Sequence, residues 1–81
     1  MPAGAKRVEL FGSAGCPYTA EWREHLRWNG VPFTEYDVVA DVEARARLLD
    51  VTDGRPVVPV VVEDGRVAAI GWRGRTCPIA A

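Results

Sequence analysis

Residues 8–19 read Val8-Glu9-Leu10-Phe11-Gly12-Ser13-Ala14-Gly15-Cys16-Pro17-Tyr18-Thr19. Alternation around Val8, Leu10 and Phe11 predicts a strand over residues 7–11. Gly12-Ser13-Ala14-Gly15 breaks it. Pro17 then falls at the first position of a helix, where its missing N–H would have had no partner anyway. Tyr18, Trp22, Leu26 and Asn29 recur at helical spacing, with His25 beside them and Arg23, Arg27 and Ala20 opposed. Trp28 lies off that stripe. Gly30 ends the helix and Pro32 prevents its continuation. Cys16 is thereby placed between a strand and a helix N-terminus, where orphan N–H groups and the positive dipole end favour an anion. Thiol pKa values fall from about 8.5 toward roughly 3.5–7.5 at such positions. The plain alternative is an inert cysteine buried at a strand end.

Working outward, residues 33–39 predict a second strand, with Phe33, Glu35 and Asp37 opposed to Thr34, Tyr36 and Val38. Asp41 reads as an N-cap, and Glu43 faces the dipole in the first turn. Val42, Ala46 and Leu49, with Leu48 beside them, mark the expected inner face of a second helix reaching Val51. Arg45 and Arg47 read as its solvated side. Asp53-Gly54 stops the helix. Residues 57–62 form an apolar run interrupted by Pro59. Glu63-Asp64-Gly65-Arg66 predicts a hairpin turn centred on Asp64-Gly65, with a return strand over Val67 to Ile70. Gly71 to Arg75 read as irregular, and the chain closes on Cys77-Pro78-Ile79-Ala80-Ala81. The order is βαβαββ, an α/β four-stranded mixed sheet with two helices. A right-handed crossover makes the first two strands parallel, and the hairpin makes the last two antiparallel. Proline is excluded from central strands, so Pro59 follows a cis bond or lies trans in an edge strand.

Composition narrows the function. The chain has 81 residues, 48% apolar, with three Trp. That is one domain over 1–81 with a thin core, and too apolar for disorder. Its two cysteines are too few for a disulfide-stapled scaffold. With His25 alone they cannot complete a four-ligand zinc site, so no metal is expected. Net charge is −1, which gives no footprint for nucleic acid. Glu9 and Gly12 interrupt the only candidate signal-peptide core, and no run approaches membrane-span length. A cytoplasmic monomer without membrane contact is expected. In a reducing compartment cysteines are more often reactive than structural.

This element order, with Cys16-Pro17-Tyr18-Thr19 at the first strand–helix junction, resembles the thioredoxin fold. More closely, it resembles the glutaredoxin family, whose motif is Cys-Pro-Tyr-Cys; Thr19 replaces the second cysteine. The likeness covers residues 7–72. Val58-Pro59 resembles the family's Val-Pro pair, whose proline is cis and faces the active thiol. Gly71 resembles the glycine near bound glutathione. Gly30-Val31-Pro32-Phe33 and Tyr36-Asp37-Val38 are similar to the family's second strand and its approach. Gly15 to Thr19, Ile70 to Arg75 and a late Cys77 are further similar to the bacterial UXX-star group, in which selenocysteine often stands at the Cys16 position.

The resemblance implies a thiol–disulfide oxidoreductase. Cys16 would attack a disulfide or a glutathione mixed disulfide, with glutathione as co-substrate and no resident cofactor. Pro17, Tyr18, Thr19, Val58, Pro59, Gly71, Trp72 and Arg73 would line the substrate site, and a short C-terminal tail would replace the last helix. Ser13 and Val57 stand where the family usually has a basic residue and Thr. Arg55, Arg73 and Arg75 are then the candidate carboxylate-binding charges. Thr19 also removes the usual resolving thiol, although its hydroxyl is a candidate donor to sulfur. Resolution falls to a second glutathione or to Cys77. The segment from Gly71 to Cys77 can extend ~20 Å, against two strand steps of ~4.8 Å, so a Cys16–Cys77 disulfide is within reach; a loose tail thiol is the alternative. Two other readings stay open. One is an iron–sulfur and glutathione carrier using Cys16 from two protomers. The other is a redox-inert adaptor binding partners through Trp28 and Trp72. Trp22 and His25 read as packing residues.

Overall fold

The computed structural model describes residues 6–79. In chain order the elements are β1 (Val8–Gly12), α1 (Pro17–Trp28), β2 (Phe33–Asp37), α2 (Val42–Val51), β3 (Val57–Val58), β4 (Val60–Glu63), β5 (Arg66–Ile70) and β6 (Cys77–Pro78). The main sheet has four strands in the order β2-β1-β4-β5, and β3 pairs with β6 in a second ladder. β1 runs parallel to β2 and antiparallel to β4, and β5 returns antiparallel to β4. This is the expected thioredoxin-like α/β arrangement.

β1 is central and buried along its whole length. Its period of two sends alternate side chains to opposite faces. Val8 and Leu10 pack with Leu26 of α1 and with Val61. Phe11 packs with Val38, Ala44, Leu48, Val60 and Val62 on the α2 side. The local signals act as expected. Gly30 (φ 67°) closes α1, with Gly30 N–H donating to Arg27 O and Val31 N–H to Leu26 O, a Schellman pattern. Asp41 Oδ1 accepts from the N–H groups of Glu43 and Ala44, both at 3.1 Å. Asp64 and Gly65 both take positive φ in the β4–β5 turn, as a type I′ hairpin requires.

Several expectations need correction. β2 ends at Asp37, not at residue 39, because Asp37 Oδ1 accepts from Val39 N–H at 3.0 Å and bends the chain into a turn. The 57–62 run is split at Pro59, which has no N–H for a ladder. The inner face of α1 is Thr19 and Leu26, with Trp22 half-buried, while Asn29 is exposed. The inner face of α2 is Ala44 and Leu48, with Val51 packed against them, whereas Val42 is 67% exposed. Residues 44, 48 and 51 repeat the same spacing as 42, 46 and 49; burial of Ala44 and Leu48 in the cluster with Phe11 distinguishes them, and the same side of the helix makes a polar contact with β1.

That contact is Glu9 with Arg47. Glu9 is 2% exposed, and Arg47 Nη2 donates to both of its carboxylate oxygens at 2.9 Å. Arg47 is therefore paired as well as solvated: its side chain stays 46% exposed while the Glu9 carboxylate it holds is buried. Its guanidinium lies 5.2 Å from the Phe11 ring centroid and 5.4 Å from that of Tyr36. Hydrogen bonding to Glu9 is the main cause raising the Arg47 pKa above its ordinary value. Arg47→Ala is expected to cost about 3 kcal/mol, since it strands a buried carboxylate. Denaturant unfolding checks this, and a cost below about 0.5 kcal/mol, the ordinary range for surface changes, would contradict it.

Candidate functional site

Cys16 is the N-cap of α1, in extended conformation, with Pro17 opening the helix. Its N–H donates to Ser13 O at 3.2 Å, and its carbonyl accepts from Ala20 N–H at 3.4 Å. The side chain is 3% exposed and packs in the α2-side core with Val38, Val58 and Ile79. It is joined by a disulfide to Cys77, with the two Cα atoms 6.0 Å apart. Cys77 is thus on a defined strand and not on a loose tail. β6 pairs antiparallel with β3 in the register Val57↔Pro78 and Val58↔Cys77. Ile79 N–H extends the pairing by donating to Pro56 O at 2.9 Å.

The Val58–Pro59 peptide is cis. Pro59 O accepts from Gly71 N–H at 2.7 Å, and Gly71 O accepts from Trp22 Nε1 at 2.8 Å. Gly71 therefore ties α1 to the proline segment through both of its peptide groups. It needs to be glycine: φ is +84°, and an added Cβ would lie 2.7 Å from Arg75 O. Beyond it, Arg73 and Gly74 take positive φ. Trp72 and Arg75 exchange backbone hydrogen bonds at 2.8 and 2.9 Å, which closes a tight I′-type turn.

Beside the start of α1 this turn leaves a cleft of about 390 Å³, lined by Pro17, Tyr18, Glu21, Trp72, Arg73 and Arg75. The sequence candidates therefore divide into two sets. Pro17, Tyr18, Trp72 and Arg73 line the cleft, and Val58, Pro59 and Gly71 are buried beside it. Arg75 joins the cleft; Arg55, in the α2–β3 loop, does not line it. Arg73 lies over Trp72, 5.2 Å from the ring centroid. Thr19 is fully buried, and its hydroxyl accepts from Ser13 N–H at 3.4 Å. Its methyl fills the space where a Gly12 Cβ would project, so its visible role is to seat α1 on β1. Gly12→Ala is expected to cost about 1–3 kcal/mol by forced overpacking, read from the unfolding midpoint. An unchanged midpoint would show that the helix start can shift freely.

Two residues of the α1 stripe adjoin the site. Trp22 was expected as packing, and it also supplies the hydrogen bond to Gly71. His25 is exposed, and its ring meets those of Trp22 and Trp72 edge-on at 5.4 Å each. Trp28 is 91% exposed. A groove lined by Lys6, Glu63, Asp64, Arg66, Val67 and Ala68 lies at the far end of the sheet, away from both cysteines.

Residues 8–68 match the sequence model of the glutaredoxin family. The chain belongs to that family. It is 33% identical over 55 residues to a Synechocystis protein named Probable glutaredoxin slr1562, covering 68% of this chain and 50% of that one. The match thus spans half the length of that curated relative. Among solved structures, the thioredoxin-like protein BC3987 superposes with a TM-score of 0.74 at 36% identity, over 82% of this chain and 88% of that one. Glutaredoxin grx-1 from Archaeoglobus fulgidus shares the fold, with a TM-score of 0.68 at 23% identity over 85% of this chain and 78% of that one.

Proposed function

We propose that this glutaredoxin-family protein is a thiol–disulfide oxidoreductase with Cys16 as nucleophile and Cys77 as resolving thiol. The Cys16 thiolate attacks one sulfur of a substrate disulfide or glutathione mixed disulfide. The other sulfur leaves as thiolate, and a mixed disulfide stays on Cys16. Cys77 thiolate then attacks Cys16 Sγ, the remaining substrate sulfur leaves, and the Cys16–Cys77 disulfide forms. Two equivalents of glutathione, or another dithiol, return the pair to the reduced state. Tyr18, Trp72, Arg73 and Arg75 contact the substrate from the cleft, with the arginines available to a carboxylate.

The observation that carries this reading is Cys77 bonded to Cys16 from an ordered strand, given that Thr19 leaves no Cys-x-x-Cys pair. The N-terminus of α1 favours the anionic sulfur that attack requires. The cluster-carrier reading needs a free Cys16 thiol and gains no support from the bonded pair. Under the adaptor reading the pair would serve stability alone. We further propose, on the motif likeness alone, membership of the UXX-star group, with cysteine at the selenocysteine position, and a cytoplasmic monomer. The test is turnover of a glutathionylated peptide with excess glutathione. Cys77→Ser is expected to accumulate a Cys16–glutathione adduct that the natural protein clears. No rate above the uncatalysed exchange would end the proposal.

A further inference from the structure

We infer that Cys77 is the thiolation site of the oxidised protein: a low-molecular-weight thiol opens the Cys16–Cys77 bond by attacking Cys77 Sγ, and its mixed disulfide forms there. The inference rests on the proposed oxidoreductase reading and names the atom at which the reductant enters.

A disulfide offers two sulfurs, and access and leaving group decide between them. Access separates them here. Cys16 is 3% exposed and belongs to the cluster of Phe11, Val38, Val58 and Ile79. A thiol reaching Cys16 has to displace part of that core. Cys77 is only partly buried, packed against the same cluster from outside. Its neighbours Thr76 and Pro78 are both exposed. Its strand, β6, pairs with β3 in a two-stranded ladder, and among the described residues no further strand covers its other edge.

The leaving group points the same way. Attack on Cys77 Sγ expels Cys16 as thiolate at the N-cap of α1, where the helix terminus favours an anion. Attack on Cys16 Sγ would expel Cys77, which lies in a two-residue strand and caps no helix. The more acidic thiol leaves faster, so Cys16 is the better leaving group.

The two half-reactions then begin at different cysteines. In the reduced protein, Cys16 attacks the substrate disulfide. In the oxidised protein, the thiolate of the reductant attacks Cys77 Sγ, the Cys16–Cys77 bond breaks, and Cys16 departs with the electron pair. A second thiolate attacks the reductant sulfur of the Cys77 adduct. The reductant leaves as its own disulfide, and Cys77 leaves as thiolate and takes a proton from solvent. Each incoming thiol gives its proton to solvent. Two reductant thiols lose two electrons in all, and the cysteine pair gains them.

The test uses the natural protein, oxidised to the Cys16–Cys77 disulfide, with 2-mercaptoethanesulfonate as the probe thiol. Samples are quenched at short times into acidic N-ethylmaleimide, which blocks free thiols and stops exchange. Trypsin leaves Cys16 in residues 8–23 and Cys77 in residues 76–81, so peptide masses read each cysteine separately. Extrapolated to zero time, the probe adduct is expected on Cys77, with maleimide on Cys16, in about tenfold excess over the reverse labelling. An even division, or an excess of adduct on Cys16, would overturn the assignment of Cys77 while leaving the oxidoreductase intact. A reduced protein that forms no Cys16–Cys77 disulfide with an aromatic disulfide, or a disulfide that the probe thiol never opens, would overturn the oxidoreductase and the thiolation site together.

Discussion

Cys16→Ser is expected to abolish thiol–disulfide exchange entirely, returning turnover to the uncatalysed rate. A serine hydroxyl is not ionised near neutral pH and cannot form the mixed disulfide, so favourable placement at the start of α1 gives it nothing to act on. Cys77→Ser acts on a different step. The first attack survives, the adduct accumulates, and turnover continues only as fast as external thiol reaches Cys16, which is buried in the described state. Stopped-flow release of thionitrobenzoate separates the two steps. Substantial turnover by Cys16→Ser would assign the attack to Cys77 and reverse the roles.

Reduction of the Cys16–Cys77 bond is expected to lower stability by about 4 kcal/mol. The cysteines are 61 residues apart, and the chain-entropy relation gives about that value for a loop of such length. A domain of 81 residues has a total stability of about 4–12 kcal/mol, so the loss is a large share of it. The midpoint should fall by roughly 15–30 °C on adding reductant. The Cys16→Ser, Cys77→Ser double variant should show the same midpoint with and without reductant. A fall of under about 5 °C in the natural protein would mean that the unfolded chain gains little freedom from losing the bond.

Short-range signals made much of this molecule legible. Cys16-Pro17 marked the strand–helix junction, Asp41 the second N-cap, Gly30 the end of α1, and Asp64-Gly65 the hairpin. Each acts through its own backbone within a few positions. The missed features depend on partners far along the chain. Glu9 meets Arg47 across 38 positions, and Trp22 reaches Gly71 across 49. The face of α2 is ambiguous in the sequence because its apolar residues satisfy two helical stripes, and only packing against the sheet separates them. β6 was illegible for another reason. Two residues, one of them proline, carry no periodicity, and the strand exists because β3 offers an edge and Cys16 offers a bond. The candidate site was legible in its parts, since Cys16, Pro59, Gly71 and Trp72 each stood out by motif. Their arrangement, with Gly71 linking α1 to the cis-proline segment, was not.

The most direct test of the Cys16–Cys77 redox pair is the mass of the reduced protein after reaction with one equivalent of an aromatic disulfide. The expected product is the protein lighter by two hydrogens, with no adduct, and with Cys16 and Cys77 linked in the peptide map. Both aromatic thiols are released. A stable aromatic adduct on Cys16, with Cys77 still free to alkylate, would contradict the account.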